Sequence, residues 1–314
     1  MLGFLARRLA FLLFTLWLVS VITFGVTQIL PGDVARAILG QEATPEDLAR
    51  LRAELGLDRP APERYVTWLS GVLRGDPGKS LRLGIPAGPL IWERLQRSLV
   101  LGGLTFIVAV PLALALGVVA GLYRDRLPDY AISMSTLVAV SLPEFVTGSV
   151  LILVVAAWLG LLPPTSMQAT MLPLHQALPY LVLPVATLTL VMLAHTARMA
   201  RASMIEVMSS PYIRTALLKG LPWWRVVLRH ALPNALVPAI TVVAMNTGWL
   251  IGGLVVVENV FGYAGLGRLL VEAIQDHDVP VLQAIALIIA AIYGIANLCA
   301  DVLYTRLNPR IRYA

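Results

Sequence analysis

Charge is scarce in this sequence. Lys, Arg, Asp and Glu make up 13% of the 314 residues, where a soluble domain carries about 25%. Cysteine is nearly absent. Cys299 stands alone, which excludes an intrachain disulfide and a cysteine metal site and leaves the expectation of a buried, inert thiol in an apolar run. The four histidines, His175, His195, His230 and His277, are scattered, with no His-Glu-x-x-His pair, so no metal ion is expected. Gly78-Lys79-Ser80 ends like a phosphate loop, but the pattern needs a glycine where Leu73 stands. No nucleophile elbow or glycine-rich dinucleotide turn occurs. No catalytic residue and no bound cofactor are assigned, and the chain is not expected to be an enzyme.

Apolar residues fill the space that charge leaves. They are 58% of the chain, with a mean hydropathy of +0.79. Six uncharged or nearly uncharged runs are long enough to cross roughly 30 Å of hydrocarbon as helices. They are about Leu9–Leu30, Ser98–Leu122, Ala131–Leu159, Pro179–Ala197, Asn234–Val257 and Val279–Leu303. Backbone groups in lipid must be satisfied internally, and runs this long and continuous are not barrel strands. The expected fold is an all-α polytopic membrane protein with six transmembrane helices. Arg7-Arg8 precede about 22 uncharged residues with no small-residue cleavage site, so the first run is read as a retained span.

The net charge of +6 lies in loops. With the N-terminus inside, the short inner segments hold 13 Lys and Arg and the two short outer loops hold one, Arg268. Retention of positive charge then places both termini in the cytoplasm. Three parts follow: residues 1–30, the N-terminus and first span; residues 31–97, an outer loop; and residues 98–314, a five-helix core carrying a cytoplasmic loop at 198–233.

The outer loop is expected to be folded and helical. Thr44-Pro45-Glu46-Asp47 has a hydroxyl cap, Pro at the first helical position and acids in the first turn. Leu48, Leu51 and Leu55 share a face, and Gly56 ends it. Tyr65, Trp68, Leu69, Val72 and Leu73 form a second apolar stripe. The two helices are free to pack on each other, on the bundle or on a docking protein.

The cytoplasmic loop is basic and amphipathic. Ser209, Ser210 and Pro211 start a short helix, Gly220 permits a sharp turn, and Leu221-Pro222 start a second helix. On that second helix Trp223, Val226, Val227 and His230 fall on one face. Such a pair either lies on the membrane surface or enters a groove on another protein. In the second case Leu217, Leu218, Trp223 and Trp224 are the candidate anchors, and Arg214, Lys219, Arg225 and Arg229 pair with acids or lipid phosphates.

Charges inside spans are functional candidates. Glu144, after Pro143 in the third run, faces either a cation or a buried structural partner. Asn246 reads as glue between helices. Glu258 and Asn259 stand at the outer end of the fifth run. Arg198 and Arg201 are expected to anchor the fourth span at the inner headgroups.

The spacing Thr215-Ala216, Gly220, then nine residues to His230-Ala231-Leu232-Pro233 resembles the coupling loop of ABC-importer permeases. Further segments are similar to the dipeptide/oligopeptide/nickel permease family, B-type. They are Leu30-Pro31-Gly32-Asp33, Ala43-Thr44-Pro45-Glu46, Leu55 to Pro60, Gly75 to Ser80, Gly265 to Ile274, and Asn297 to Arg310. Arg214 stands where the loop's name-giving Glu would be. The resemblance implies a non-catalytic pore subunit of a binding-protein-dependent importer in a bacterial or archaeal inner membrane. Implied partners are a second six-helix permease, two ATPase subunits or domains that hold ATP and Mg²⁺, an extracytoplasmic binding protein and lipid. Di- or oligopeptides are the first-ranked cargo, then nickel, glutathione or another small solute. The implied coupling residues are Arg214, Thr215, Ala216, Lys219, Gly220, Trp223, Trp224, Arg225, His230, Leu232 and Pro233. Glu144, Asn246, Glu258 and Asn259 are the candidate pathway. The rival class is a self-sufficient secondary transporter or channel, which would need repeated halves with broken helices.

Overall fold

The computed structural model describes residues 2–29, 43–54 and 58–307. Helices run in the order α1 (Leu2–Ile29), α2 (Pro45–Glu54), α3 (Ala61–Leu73), α4 (Ala87–Leu122), α5 (Leu127–Ser141) and α6 (Glu144–Leu151). They continue as α7 (Leu174–Met208), α8 (Pro211–Leu218), α9 (Trp223–Val226), α10 (Leu232–Val260), α11 (Leu266–Gln275) and α12 (Val279–Leu307). Lys79 and Pro86 form an isolated antiparallel bridge, and no strand occurs among the described residues. The Leu30-Pro31-Gly32-Asp33 segment, the helix end at Gly56, and the tail from Asn308 with Arg310 and Arg312 lie outside the described residues.

Among the described residues, five helices are long and apolar enough to cross a membrane, or six if one bent pair counts as a span. That pair is the expected third span. It is not one straight helix. α5 and α6 meet at a 107° bend between Ser141 and Glu144. The cause is local. Pro143 has no N–H to continue the helix, and it drives Leu142 into an extended conformation, φ −96° and ψ 133°. Beyond α6 the chain widens into a π-helical turn over Ile152–Trp158.

The chain forms two compact units, residues 1–98 with 264–295 and residues 99–263 with 296–314. In the first, α3 packs on α1. Phe24 meets Tyr65 and Trp68 with ring centroids 5.4 and 6.0 Å apart, and Ser20 shares a 2.8 Å hydrogen bond with the Tyr65 hydroxyl. This contact is with the first span, and Leu73 falls off the stripe into an exposed position. Thr44 caps α2 as its sequence implies, accepting from the Asp47 N–H at 3.2 Å. The amphipathic α11 buries Leu266, Leu269 and Ala273 against Ala87 and Ile91 of α4 and Val281, Ala284 and Ile285 of α12.

The phosphate-loop look-alike proves to be a latch within this unit. Gly78, at φ +97°, turns the chain, and its carbonyl accepts from Ala87 at 2.9 Å. The buried Ser80 donates its hydroxyl to the Asp278 carboxylate, which also accepts from the Leu81 N–H at 3.1 Å. Arg82 pairs with Asp276 at 2.5 Å. Gln283 of α12 donates to Thr27 of α1 at 2.6 Å, both groups being buried.

The second unit is built around α7 and α10. Leu181, Leu183, Leu188, Val257 and Phe261 form its largest apolar cluster. α4 crosses α7 closely. A Cβ at Gly121 would lie 2.7 Å from Met204 Cβ and 3.0 Å from the Arg201 carbonyl, and one at Gly117 would overlap the Ala197 carbonyl. These glycines, four residues apart, are a small-residue contact of the kind membrane helices use.

Candidate functional site

Two constructions in the second unit bear on function. The first is the loop between α7 and α10. Pro211 takes the first position of α8, and the helix ends in a two-bond cap around Gly220. The Gly220 N–H donates to Leu217 O at 2.9 Å and the Leu221 N–H to Ala216 O at 3.4 Å, with Gly220 at φ +77°. Pro222 then opens α9, which passes through a π-helical turn, Val227–Ala231, into α10.

The inner face of this loop is a small core: Ile213, Ala216, Val226, Val227 and Ala231 pack with Met204 and Ala235. The outer face carries Leu217, Leu218, Trp223, Trp224 and Leu228, all exposed, with Leu218 at 79%. Arg214, Thr215, Lys219, Arg225 and Pro233 are exposed beside them, while His230 and Leu232 are half-buried. The Arg225 guanidinium lies 5.6 Å from the Trp224 ring centroid. Asn234 ties the two helices together, donating to His230 O at 2.8 Å and to the Tyr212 hydroxyl at 3.1 Å. The face expected from the sequence is therefore divided. Val226 and Val227 point inward, Trp223 points outward, and Ala216 is a floor residue. Leu228 belongs to the outer surface and was not singled out.

The second construction is a cleft at the α5–α6 break. Glu144 opens α6, and its carboxylate lies over α10, where a Cβ at Gly253 would meet both of its oxygens at 3.1 Å. The cleft is also lined by Leu188, Val191, Met192 and His195 of α7 and by Asn246, Trp249, Leu250 and Gly253 of α10. Each set of four follows an i, i+3, i+4, i+7 stripe. Glu144 and Asn246 thus come together. The Asn246 side-chain N–H₂ is buried and has no hydrogen-bond partner among the described residues. His195 meets Trp249 edge-on at 5.5 Å. Glu258 and Asn259 do not join this cleft. Glu258 is completely buried, and Asn259 folds its amide back onto Val255 O at 2.7 Å. Sequence reasoning passed over His195, Trp249 and Gly253, although the two stripes were present.

Arg201 behaves differently from its expected role at the headgroups. It closes on Asp129, at the start of α5, with Nε and Nη2 at 2.5 and 2.6 Å from the two carboxylate oxygens. The Asp125 N–H and the Ser133 hydroxyl complete the site at 3.0 and 3.2 Å.

Long apolar helices, a broken span beside a mostly apolar cleft and a rigid, aromatic-tipped loop between long helices are the features of a multi-pass membrane protein. The comparisons agree. Residues 113–313 match the family model described as the binding-protein-dependent transport system inner membrane component, and residues 1–85 match that of its N-terminal part. The chain belongs to this family and is a pore subunit of an ABC importer. It is 38% identical over 315 residues to a probable peptide ABC transporter permease protein of Sinorhizobium fredii, covering 99% of each chain. It is also 38% identical over 314 residues, all of each chain, to the glutathione transport system permease protein GsiC of Escherichia coli K12. A crystal structure of an amino acid ABC transporter with histidines shares the fold, with a TM-score of 0.52 at 20% identity, over 71% of this chain and 94% of that one.

Proposed function

We propose that this chain forms half of the pore of a bacterial importer for di- or oligopeptides, or for glutathione, worked by separate ATPases that grip residues 198–233. What carries this reading is the loop itself. Its glycine cap and packed floor hold Leu217, Leu218, Trp223 and Trp224 in place before any partner arrives, so little ordering cost remains at docking. Those four are the anchors, and Arg214, Lys219 and Arg225 pair with acids around the groove. ATP and Mg²⁺ sit on the partner subunits, a second six-helix permease completes the pore, and an extracytoplasmic binding protein delivers the cargo. The excess of 13 Lys and Arg over one supports both termini in the cytoplasm. Peptide and glutathione are the cargoes named for the two relatives.

The test is to solubilise the tagged chain, co-expressed with its neighbouring genes, and identify what stays bound. Recovery of an ATPase from the wild type, and its loss from Trp223→Ala/Trp224→Ala, is the expected result. A chain that moves solute alone, with no ATPase bound, overturns it in favour of a self-sufficient transporter. Uptake of nickel in place of peptide or glutathione changes the cargo and leaves the machine.

A further inference from the structure

The Glu144 cleft has an unusual balance of charge. Glu144 is its only carboxylate, and no Lys or Arg lines it. Glu144 has no ion pair among the described residues. An anion among Leu188, Gly253 and Trp249 calls for a positive partner. Other features of the cleft narrow what that partner is. The Trp249 ring stands in the same wall, and an indole face attracts cations. The enclosed space admits a single water-sized group. A hard divalent cation would want six or more oxygens, and this cleft offers one carboxylate, one amide and the His195 imidazole, with no third His, Cys, Asp or Glu beside them among the described residues.

We propose that the cleft is a subsite for the α-ammonium group of the transported solute. The ammonium enters between the Glu144 carboxylate and the Trp249 ring. The rest of the solute stays outside the enclosed space, so its side chains go unread and the pore tolerates many sequences. Gly253 is a positioning residue, because only the absence of a Cβ lets the carboxylate lie against α10. A peptide N-terminus and the γ-glutamyl end of glutathione both present a free α-ammonium. This inference rests on the importer reading above.

The complete importer, with its second permease, ATPases and binding protein, is reconstituted in vesicles. ATP-driven uptake is measured for tri-alanine and for its analogue with hydroxyl in place of the amine, at equal loading of the binding protein. Reduced glutathione and N-acetyl glutathione are run as a second pair, so the preference is read on whichever parent is carried. The wild type is expected to favour the free amine at least 10-fold. Glu144→Gln lowers uptake of the amine by about 10-fold and abolishes the preference, while Glu144→Asp restores most of both. Gly253→Ala, which keeps the charge but displaces it, reduces the preference. An assembled Glu144→Gln importer that keeps the wild-type rate and preference overturns the subsite alone. A wild-type importer that moves neither parent solute overturns the peptide and glutathione reading, and the subsite with it.

Discussion

Asp129 is 2% exposed, and almost everything that compensates its charge comes from one side chain 72 residues further along. A bidentate Arg–carboxylate pair fixes direction as well as distance, and removing one partner strands the other charge in a poorly solvated place. Arg201→Met is therefore expected to cost about 3 kcal/mol, seen as a drop of several degrees in the thermal midpoint of the detergent-solubilised chain. The double variant Asp129→Leu/Arg201→Met recovers most of the loss, because no buried charge is then left alone. A single variant as stable as the parent would show that solvent screens the pair. Nothing in the sequence joins these residues. Arg201 reads as a headgroup anchor because a basic residue at a span end usually is one, and only the fold brings Asp129 to it. Gly220 is the opposite case. Its role was legible because positive φ is a property of the residue type. Gly220→Val places a β-branched side chain at φ +77°, which costs about 1–2 kcal/mol locally. It is expected to reduce uptake at least 10-fold while ATP hydrolysis and membrane insertion continue. Normal uptake in that variant would separate the cap from coupling.

Among the elements, the spans were legible as lengths of apolar chain and not as shapes. A hydropathy window weighs composition, so Ala131–Leu159 reads as one rod. The structure bends it by 107°. The signal was the Leu142-Pro143 step, which a window averages away. Each half, at about 1.5 Å per residue, is too short to cross about 30 Å of hydrocarbon alone. Its freed backbone groups are tolerable where protein surrounds them. Pro143→Ala restores an N–H and releases Leu142, and it is expected to open the bend. Spin labels at the exposed positions Leu127 and Trp158 would then move apart by about 5 Å or more, several helical rises. An unchanged distance would assign the bend to tertiary packing. The crossing of α4 and α7 makes a sharper claim. Gly121→Leu drives a branched side chain into Met204 and the Arg201 backbone, and overpacking of this kind costs about 1–3 kcal/mol. Lower yield of folded chain by gel filtration is expected, with Gly103→Leu, which meets nothing within 4 Å, as the neutral control.

At the scale of the whole molecule, many large apolar side chains face outward. Phe11, Leu13, Phe14, Trp17 and Ile22 of α1 are all exposed, and 11% of that span's apolar window is buried. Such a surface belongs in lipid or against another subunit. The latch of Ser80, Leu81 and Arg82 onto Asp276 and Asp278 gives the first unit a closure independent of that surface. Asp278→Asn/Ser80→Ala is expected to expose residues 75–86 to protease while α4 and α12 stay protected, and equal cleavage of variant and parent would count against the latch. The same contact has a temporal side. Its two halves are 198 residues apart in sequence, and a ribosome adds about 5–20 residues each second. The early half therefore waits for about 10–40 s before its acceptor is made. Through that interval the segment is open to whatever chaperones or proteases reach it. Closure of the latch thus reports that translation has passed Asp278.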